Sequence, residues 1–275
     1  MSGALKKILV RFILPVVVIV ILGRINAWYA VAAFIVYAAL MLWFSRAFIY
    51  SILGTRNYGL GNMDKAIEWF AKAYDSKRAG IQTSTSYAYI LLKNGDVKKS
   101  EEILQKLLKD NQSSPDLPKI KSNMALVLWK KGKVDEAAAM LEEVIKTYKT
   151  TSIYGSLGYL LIAAGDLDRA LKLNLEAYEY NSEDKIILDN LGQNYLLLGM
   201  YDKAEEIYKP LMEKKPAFPE PYFNYGLLLE KLGNAEVALG MFKKALEYKF
   251  TYLSTISRQD VEAKIRQLGD DSEAL

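Results

Sequence analysis

Three adjacent carboxylate pairs, Asp135/Glu136, Glu142/Glu143 and Glu205/Glu206, come nearest in type and spacing to residues that could do chemistry. Two carboxylates can share general acid and base work when their surroundings separate their pKa values. Here each pair falls on an outer helix and is read as a solvated face. The chain contains no histidine and no cysteine. That removes the commonest general base, the commonest metal ligand, thiol nucleophiles, cysteine-ligated metals and disulfides. A carboxylate-only or Lys/Tyr enzyme is what composition leaves open, but no constellation for one is present. No Walker-type phosphate loop appears either, because the recurring glycines sit at a structural period. The expectation is a non-enzyme with no catalytic residues, no cofactor and no metal.

Those carboxylates are positioned by a repeating element. Glycines fall at Gly61, Gly95, Gly132, Gly165, Gly199 and Gly233. Five residues after each comes a small residue: Ala66, Ser100, Ala137, Ala170, Ala204 and Ala238. Seven residues before each comes another: Gly54, Ala88, Ala125, Gly158, Gly192 and Gly226. The pattern predicts stacked helical hairpins, each with a first helix A and a second helix B. Small residues let the two helices approach closely. The glycine supplies the left-handed conformation that ends helix A. Large residues at the fourth, seventh, eleventh and twenty-fourth positions fill the space between neighbouring hairpins. One hairpin alone leaves an apolar face exposed, so stacking is obligatory.

The unit resembles the tetratricopeptide repeat. Residues 185–218 carry Leu188, Leu191-Gly192, Tyr195, Gly199, Tyr201, Ala204, Tyr208 and Pro216; residues 219–252 carry Tyr222, Tyr225-Gly226, Leu229, Gly233, Ala238, Phe242 and Ala245. Residues 151–184 match too, with Asn174 where the family usually has an aromatic residue. Weaker units at 47–80, 81–114 and 118–150 are in phase. Pro115-Asp116-Leu117 is an insertion between the second and third repeats, read as a longer loop or a change in stacking angle. Pro210 removes the amide that would bond Glu206, so a kink is expected in that helix B.

The N-terminus is of another kind. Ala27 to Phe44 is an uncharged run bracketed by Trp28 and Tyr29 at one end and Trp43 at the other. At about 1.5 Å per residue it reaches roughly 27 Å, close to the hydrocarbon thickness. A shorter run extends from Ile8 to Leu22, interrupted by Pro15, and Gly23-Arg24-Ile25-Asn26 reads as a tight turn. The expectation is a two-helix transmembrane anchor, residues 1–46, with spans at about 8–22 and 27–44; a cleaved signal peptide is the rival. Lys6, Lys7 and Arg11 precede it and Arg46 and Arg56 follow, with only Arg24 between. The positive-inside rule then puts both termini in the cytoplasm. Residues 1–46 hold five basic and no acidic residues, so beyond them 31 basic residues face 32 acidic ones. No basic excess exists to neutralise phosphates, which argues against nucleic-acid binding. Only Ser45 and Arg46 separate the second span from the first repeat. One continuous helix from about Ala27 to about Tyr58 is predicted.

The whole is expected to be all-α: a transmembrane hairpin, an α-solenoid of about six repeats over 47–252, and a capping helix and tail over 253–275. The cap should start at Ser257 and end near Leu268, with an acidic tail at 269–275. In the family the concave surface is lined mainly by helix A. That resemblance implies a partner-binding groove made by Tyr89, Asn123, Leu126, Trp129, Tyr159, Asn190, Gln193, Phe223, Asn224 and Leu227, with Lys130 beside them. Asparagine amides could pair with the backbone of an extended peptide, and the aromatic and aliphatic groups with its side chains. The cationic residues are too scattered for a clamp on a C-terminal dicarboxylate. The reading is a scaffold in the cell (inner) membrane that recruits protein or peptide partners to a cytoplasmic groove. The alternative is an accessory subunit of a membrane complex, held to intramembrane partners through residues 8–44.

Overall fold

The computed structural model describes residues 9–273. Lys6, Lys7 and the last two residues lie outside the described range. After a short π-helical turn at Leu9–Ile13 come fourteen α-helices. In chain order these are α1 Leu14–Ile25, α2 Ala27–Gly59, α3 Met63–Asp75, α4 Ile81–Lys93, α5 Val97–Asp110, α6 Leu117–Lys130, α7 Val134–Ile145, α8 Thr151–Ala163, α9 Leu167–Tyr180, α10 Lys185–Leu197, α11 Tyr201–Glu213, α12 Glu220–Lys231, α13 Ala235–Ala245 and α14 Arg258–Glu273. The chain divides into two compact units, residues 1–84 and 85–275.

In the first unit α2 is one uninterrupted 33-residue helix, as the absence of any breaker at residues 44–48 predicts. Its length is about 50 Å at 1.5 Å per residue. Its first half, including Trp28, Phe34, Ile35 and Leu42, is exposed. Its second half is the A helix of the first hairpin. Gly54 lies under the Phe70 ring of α3, where an added Cβ would come within 2.6 Å. Tyr50 and Trp69 pack with ring centroids 5.6 Å apart, and the Arg46 guanidinium lies 3.7 Å over the Trp43 ring. The turn before α2 is tighter than expected. α1 runs through Gly23 and Arg24 to Ile25, and Asn26 alone breaks the helix. The Asn26 side chain accepts the Trp28 N–H at 2.9 Å, capping α2.

The second unit repeats one local design. Among the described residues every repeat glycine has positive φ, from +73° at Gly199 to +94° at Gly95. At Gly165 the Schellman pair closes helix A: Asp166 N–H donates to the Leu161 carbonyl and Gly165 N–H to that of Ile162, both at 3.0 Å. Asp96 and Asp166, each following the glycine, then accept the Lys99 and Arg169 amides at the start of helix B. Where the hairpins cross, Gly192 meets Tyr208 and Gly226 meets Phe242; added Cβ atoms would fall 2.7 and 2.6 Å from those rings. Glycine there is required by the approach of a buried aromatic ring.

Two local expectations are corrected, at the loop before α6 and at the end of α14. Leu117 is already the first residue of α6, with Pro118 in its first turn, so only residues 111–116 form the loop between those repeats. α11 continues past Pro210 to Glu213, with Lys214 N–H donating to the Pro210 carbonyl at 3.3 Å. α14 runs to Glu273 and not to Leu268, because the apolar stripe was a guide to burial and not to helix length. Its start is a capping box: Asp260 N–H donates to Ser257 Oγ at 3.1 Å, and Ser257 N–H to Asp260 Oδ2 at 2.9 Å. Val261 and Leu268 of α14 are buried in the core of the last two repeats.

Candidate functional site

The A helices α4, α6, α8, α10 and α12 carry the expected groove residues. Their asparagines form rungs between repeats. Asn123 Nδ2 donates to the Thr85 carbonyl at 3.2 Å, Asn190 Nδ2 to that of Gly155 at 2.7 Å, and Asn224 Nδ2 to Asp189 Oδ1 at 3.1 Å. In each case the sixth position of one repeat reaches the fifth position of the repeat before it. Asn190 and Asn224 are only 4% and 2% exposed. The amides anticipated as donors to a peptide are therefore committed to the array itself. A buried amide left without a partner costs about 1–3 kcal/mol, so these bonds hold the stacking register.

Asp189 lies among these rungs. It is buried and accepts the Tyr208 hydroxyl, on both Oδ1 and its own carbonyl at 3.2 Å, besides the Asn224 amide. Burial pushes its pKa up to about 7; the Glu220 charge adds to that, and the Asn224 and Tyr208 hydrogen bonds oppose it. Burial likewise pushes the Tyr208 hydroxyl well above its ordinary value.

The aromatic and charged residues gather at the third, fourth and sixth repeats. Trp129 and Tyr159 meet edge to face with centroids 5.1 Å apart. Lys130 Nζ lies 3.7 Å over the Trp129 ring. Burial lowers the Lys130 pKa to about 8, against the pull of Glu220. Burial and Glu220 together raise that of Tyr159. Tyr89, Leu126, Gln193 and Leu227 are half-buried. Phe223 is buried, its ring 5.5 Å from that of Phe242, and belongs to the core of the last repeat.

Sequence reasoning missed an occupant. The segment that follows α13 crosses back over these helices. Tyr252 N–H donates to the Lys93 carbonyl at the end of α4 at 3.3 Å. The Tyr252 ring lies against Gly95, where a Cβ would be 3.6 Å away. Lys130 Nζ donates to the Ser254 carbonyl at 3.2 Å, and Thr255 N–H donates to Glu220 Oε1 at 3.1 Å. Glu220 was missed as well. Its only signal was its place at the second position of helix A, one residue after Pro219.

The profile described as "Tetratricopeptide repeat" matches residues 122–184, and a second one with the same description matches 187–213 and 219–252. Residues 122–184, 187–213 and 219–252 are thus tetratricopeptide repeats, and tetratricopeptide-repeat proteins are generally non-catalytic scaffolds. It is 27% identical over 164 residues to TPR repeat-containing protein MJ1428 of Methanocaldococcus jannaschii, covering 58% of this chain and 28% of that protein. It is 29% identical over 109 residues to the bovine BBSome complex member BBS4, covering 40% of this chain and 21% of that one. The chain thus spans about a quarter of the length of these curated relatives. A tetratricopeptide repeat protein from Parabacteroides merdae superposes with a TM-score of 0.66 at 15% identity, over 82% of this chain and 85% of that one. That likeness shows the fold.

Among the described residues, α2 is the one helix long and apolar enough to cross a membrane. α1 has twelve residues, about 18 Å, against a hydrocarbon core of about 30 Å. The expected pair of spans, and with it a multi-pass topology, is not supported. One N-terminal apolar helix remains, of the kind that serves as a single anchor or a signal.

Proposed function

We propose that this protein is a scaffold fixed to a membrane by α2, which presents the groove along its A helices to protein or peptide partners. The observation that carries the reading is the continuity of α2. One half exposes Trp28, Phe34 and Leu42 to whatever surrounds it, and the other half packs Gly54 beneath Phe70. An exposed apolar length of this size calls for lipid or a partner. Because the repeat hairpin begins on the same helix, the anchor holds it without a linker. Arg46 and Arg56 flank the repeat end of the apolar half of α2, against Arg24 alone at its other end. That charge distribution favours the cytoplasmic face of the cell (inner) membrane. The test pairs alkaline extraction of membranes with photocrosslinkers at Tyr89, Trp129 and Tyr159. The chain should resist extraction and crosslink a soluble partner from the groove. Extraction into the soluble fraction, or crosslinks confined to residues 8–44, would refute the reading.

A second reading, an accessory subunit of a membrane complex, is favoured by one feature. A cleft of about 590 Å³ between α1 and α2 is lined by Leu14, Val18, Leu22, Tyr29, Val36 and Leu40, among others. It fits apolar side chains of a partner helix. Crosslinks from residues 8–44 to another membrane protein would support it.

A further inference from the structure

Lys130 and Glu220 bind the two ends of a single peptide group. The Ser254 carbonyl accepts from Lys130 Nζ and the Thr255 N–H donates to Glu220 Oε1. One contact spans 124 residues of sequence and the other 35. The peptide dipole is aligned between a cation on its oxygen and an anion on its N–H, and both bonds are charge-assisted. Each contact is to backbone, so neither depends on which side chains Ser254 and Thr255 carry. The surrounding segment is neutral from Phe250 to Ser257. It is folded as a turn, with Ser254 N–H donating to the Thr251 carbonyl at 3.0 Å and Thr251 N–H to Ser254 Oγ at 3.1 Å. The turn sets Tyr252 beside Gly95, 5.3 Å from Lys130, while Phe250 and Ile256 pack on the last repeat. Tyr252 is 43% exposed, so the turn closes over the helices without sinking into the core.

We propose that Lys130 and Glu220 are a peptide-group clamp, that residues 250–256 are the chain's own occupant of it, and that the partner binds by replacing them with a neutral peptide turn bearing an aromatic residue two before the clamped carbonyl. The proposal rests on the groove reading above and names the chemistry of its ligand. The clamp accepts any backbone, the neighbouring Trp129–Tyr159 pair and the Gly95 face accept an aromatic ring, and the segment's neutrality matches a site that already balances its charges. While the segment is seated, the competent fraction is small, and the apparent affinity for a competitor falls by that fraction.

The probe is a fluorescent synthetic peptide of residues 249–257, titrated against the full chain in detergent micelles. Thr255→Pro removes the N–H that Glu220 binds and loosens the resident segment. It should bind the probe about tenfold or more tightly than the parent chain, as expected when the segment is seated at least nine-tenths of the time. Adding Lys130→Ala to Thr255→Pro should abolish that gain. Tyr252→Ala is the second loosening variant, used if Thr255→Pro fails to fold, and hydrogen exchange should show residues 250–257 opening ahead of α14. Equal binding to parent and loosened variants, or no binding to either, overturns the proposal. Formation of dimers by Thr255→Pro in place of probe binding also overturns it, since the segment would then be exchanged between copies. If the groove crosslinks a partner equally in parent and loosened variants, the scaffold stands and the clamp falls. If the probe behaves as expected and no partner is captured, the clamp stands and the scaffold falls.

Discussion

Asp189→Asn should abolish a fall in stability that the parent chain shows between pH 5 and pH 7.5. Asp189 is fully enclosed, and burial raises its pKa to about 7 from an unfolded value of 3.8. Between those values the folded state holds a proton that the unfolded state has released. Stability is therefore greatest below the unfolded pKa and is lost as pH rises through the folded one. The slope is about 1.4 kcal/mol per pH unit, and from pH 5 to pH 7.5 the loss is about 2.5 kcal/mol. The chain has no histidine, and Lys130, lowered to about 8, adds stability only as pH rises from about 8 toward its unfolded value. An asparagine at 189 can still accept from Tyr208 and Asn224 through its Oδ1 while carrying no charge to desolvate. Urea unfolding of parent and Asp189→Asn chains in the same micelles, followed by circular dichroism at half-unit pH steps, measures both slopes. The parent midpoint should drop with pH and the variant's should stay level. A level parent, or a variant that falls in parallel with it, would refute a protonated buried carboxyl.

Other outcomes follow from the same geometry. Gly226→Ala drives a Cβ to 2.6 Å from the buried Phe242 ring and should cost about 1–3 kcal/mol by overpacking; an unchanged urea midpoint would contradict the crossing described. Gly132→Ala meets open space but keeps φ near +79°, so only about 1–2 kcal/mol of backbone strain is expected. Tyr208→Phe removes a donor from Asp189 and should cost about 1–3 kcal/mol, with the larger effect above pH 7, where the carboxylate is ionised. Spin labels at Val36 and Arg56, twenty positions apart on α2, should give a narrow distance near 30 Å. Ser45→Pro should broaden it, and a broad distribution in the parent would argue against a continuous helix.

Much of this was written locally. A glycine that must take positive φ, a small residue where two helices cross and an aspartate that caps the next helix are decided within one or two turns of chain. Six repetitions of the glycine and the small residues, with the aspartate at two of them, made the hairpins, their phase and the join at residues 44–48 legible without coordinates. The exposed apolar run of α2 was legible for the same reason, because hydrophobicity summed along a helix needs no partner. Where a local rule met a competing one it failed by a few residues, as at Asn26 and at the C-terminal end of α14.

What only the tertiary structure decided is which groups meet across repeats. Asn190 and Asn224 looked like free amides because sequence shows their position on helix A but not that the preceding repeat brings a carbonyl or a carboxylate within 3.1 Å. Nothing in the sequence singled out Asp189, which Tyr208 and Asn224 enclose. Residues 253–256 have no repeat signature, so nothing in them announced that Lys130 and Glu220 would close on one of their peptide bonds. Those encounters depend on the accumulated rotation from hairpin to hairpin, a quantity that no local window of sequence contains.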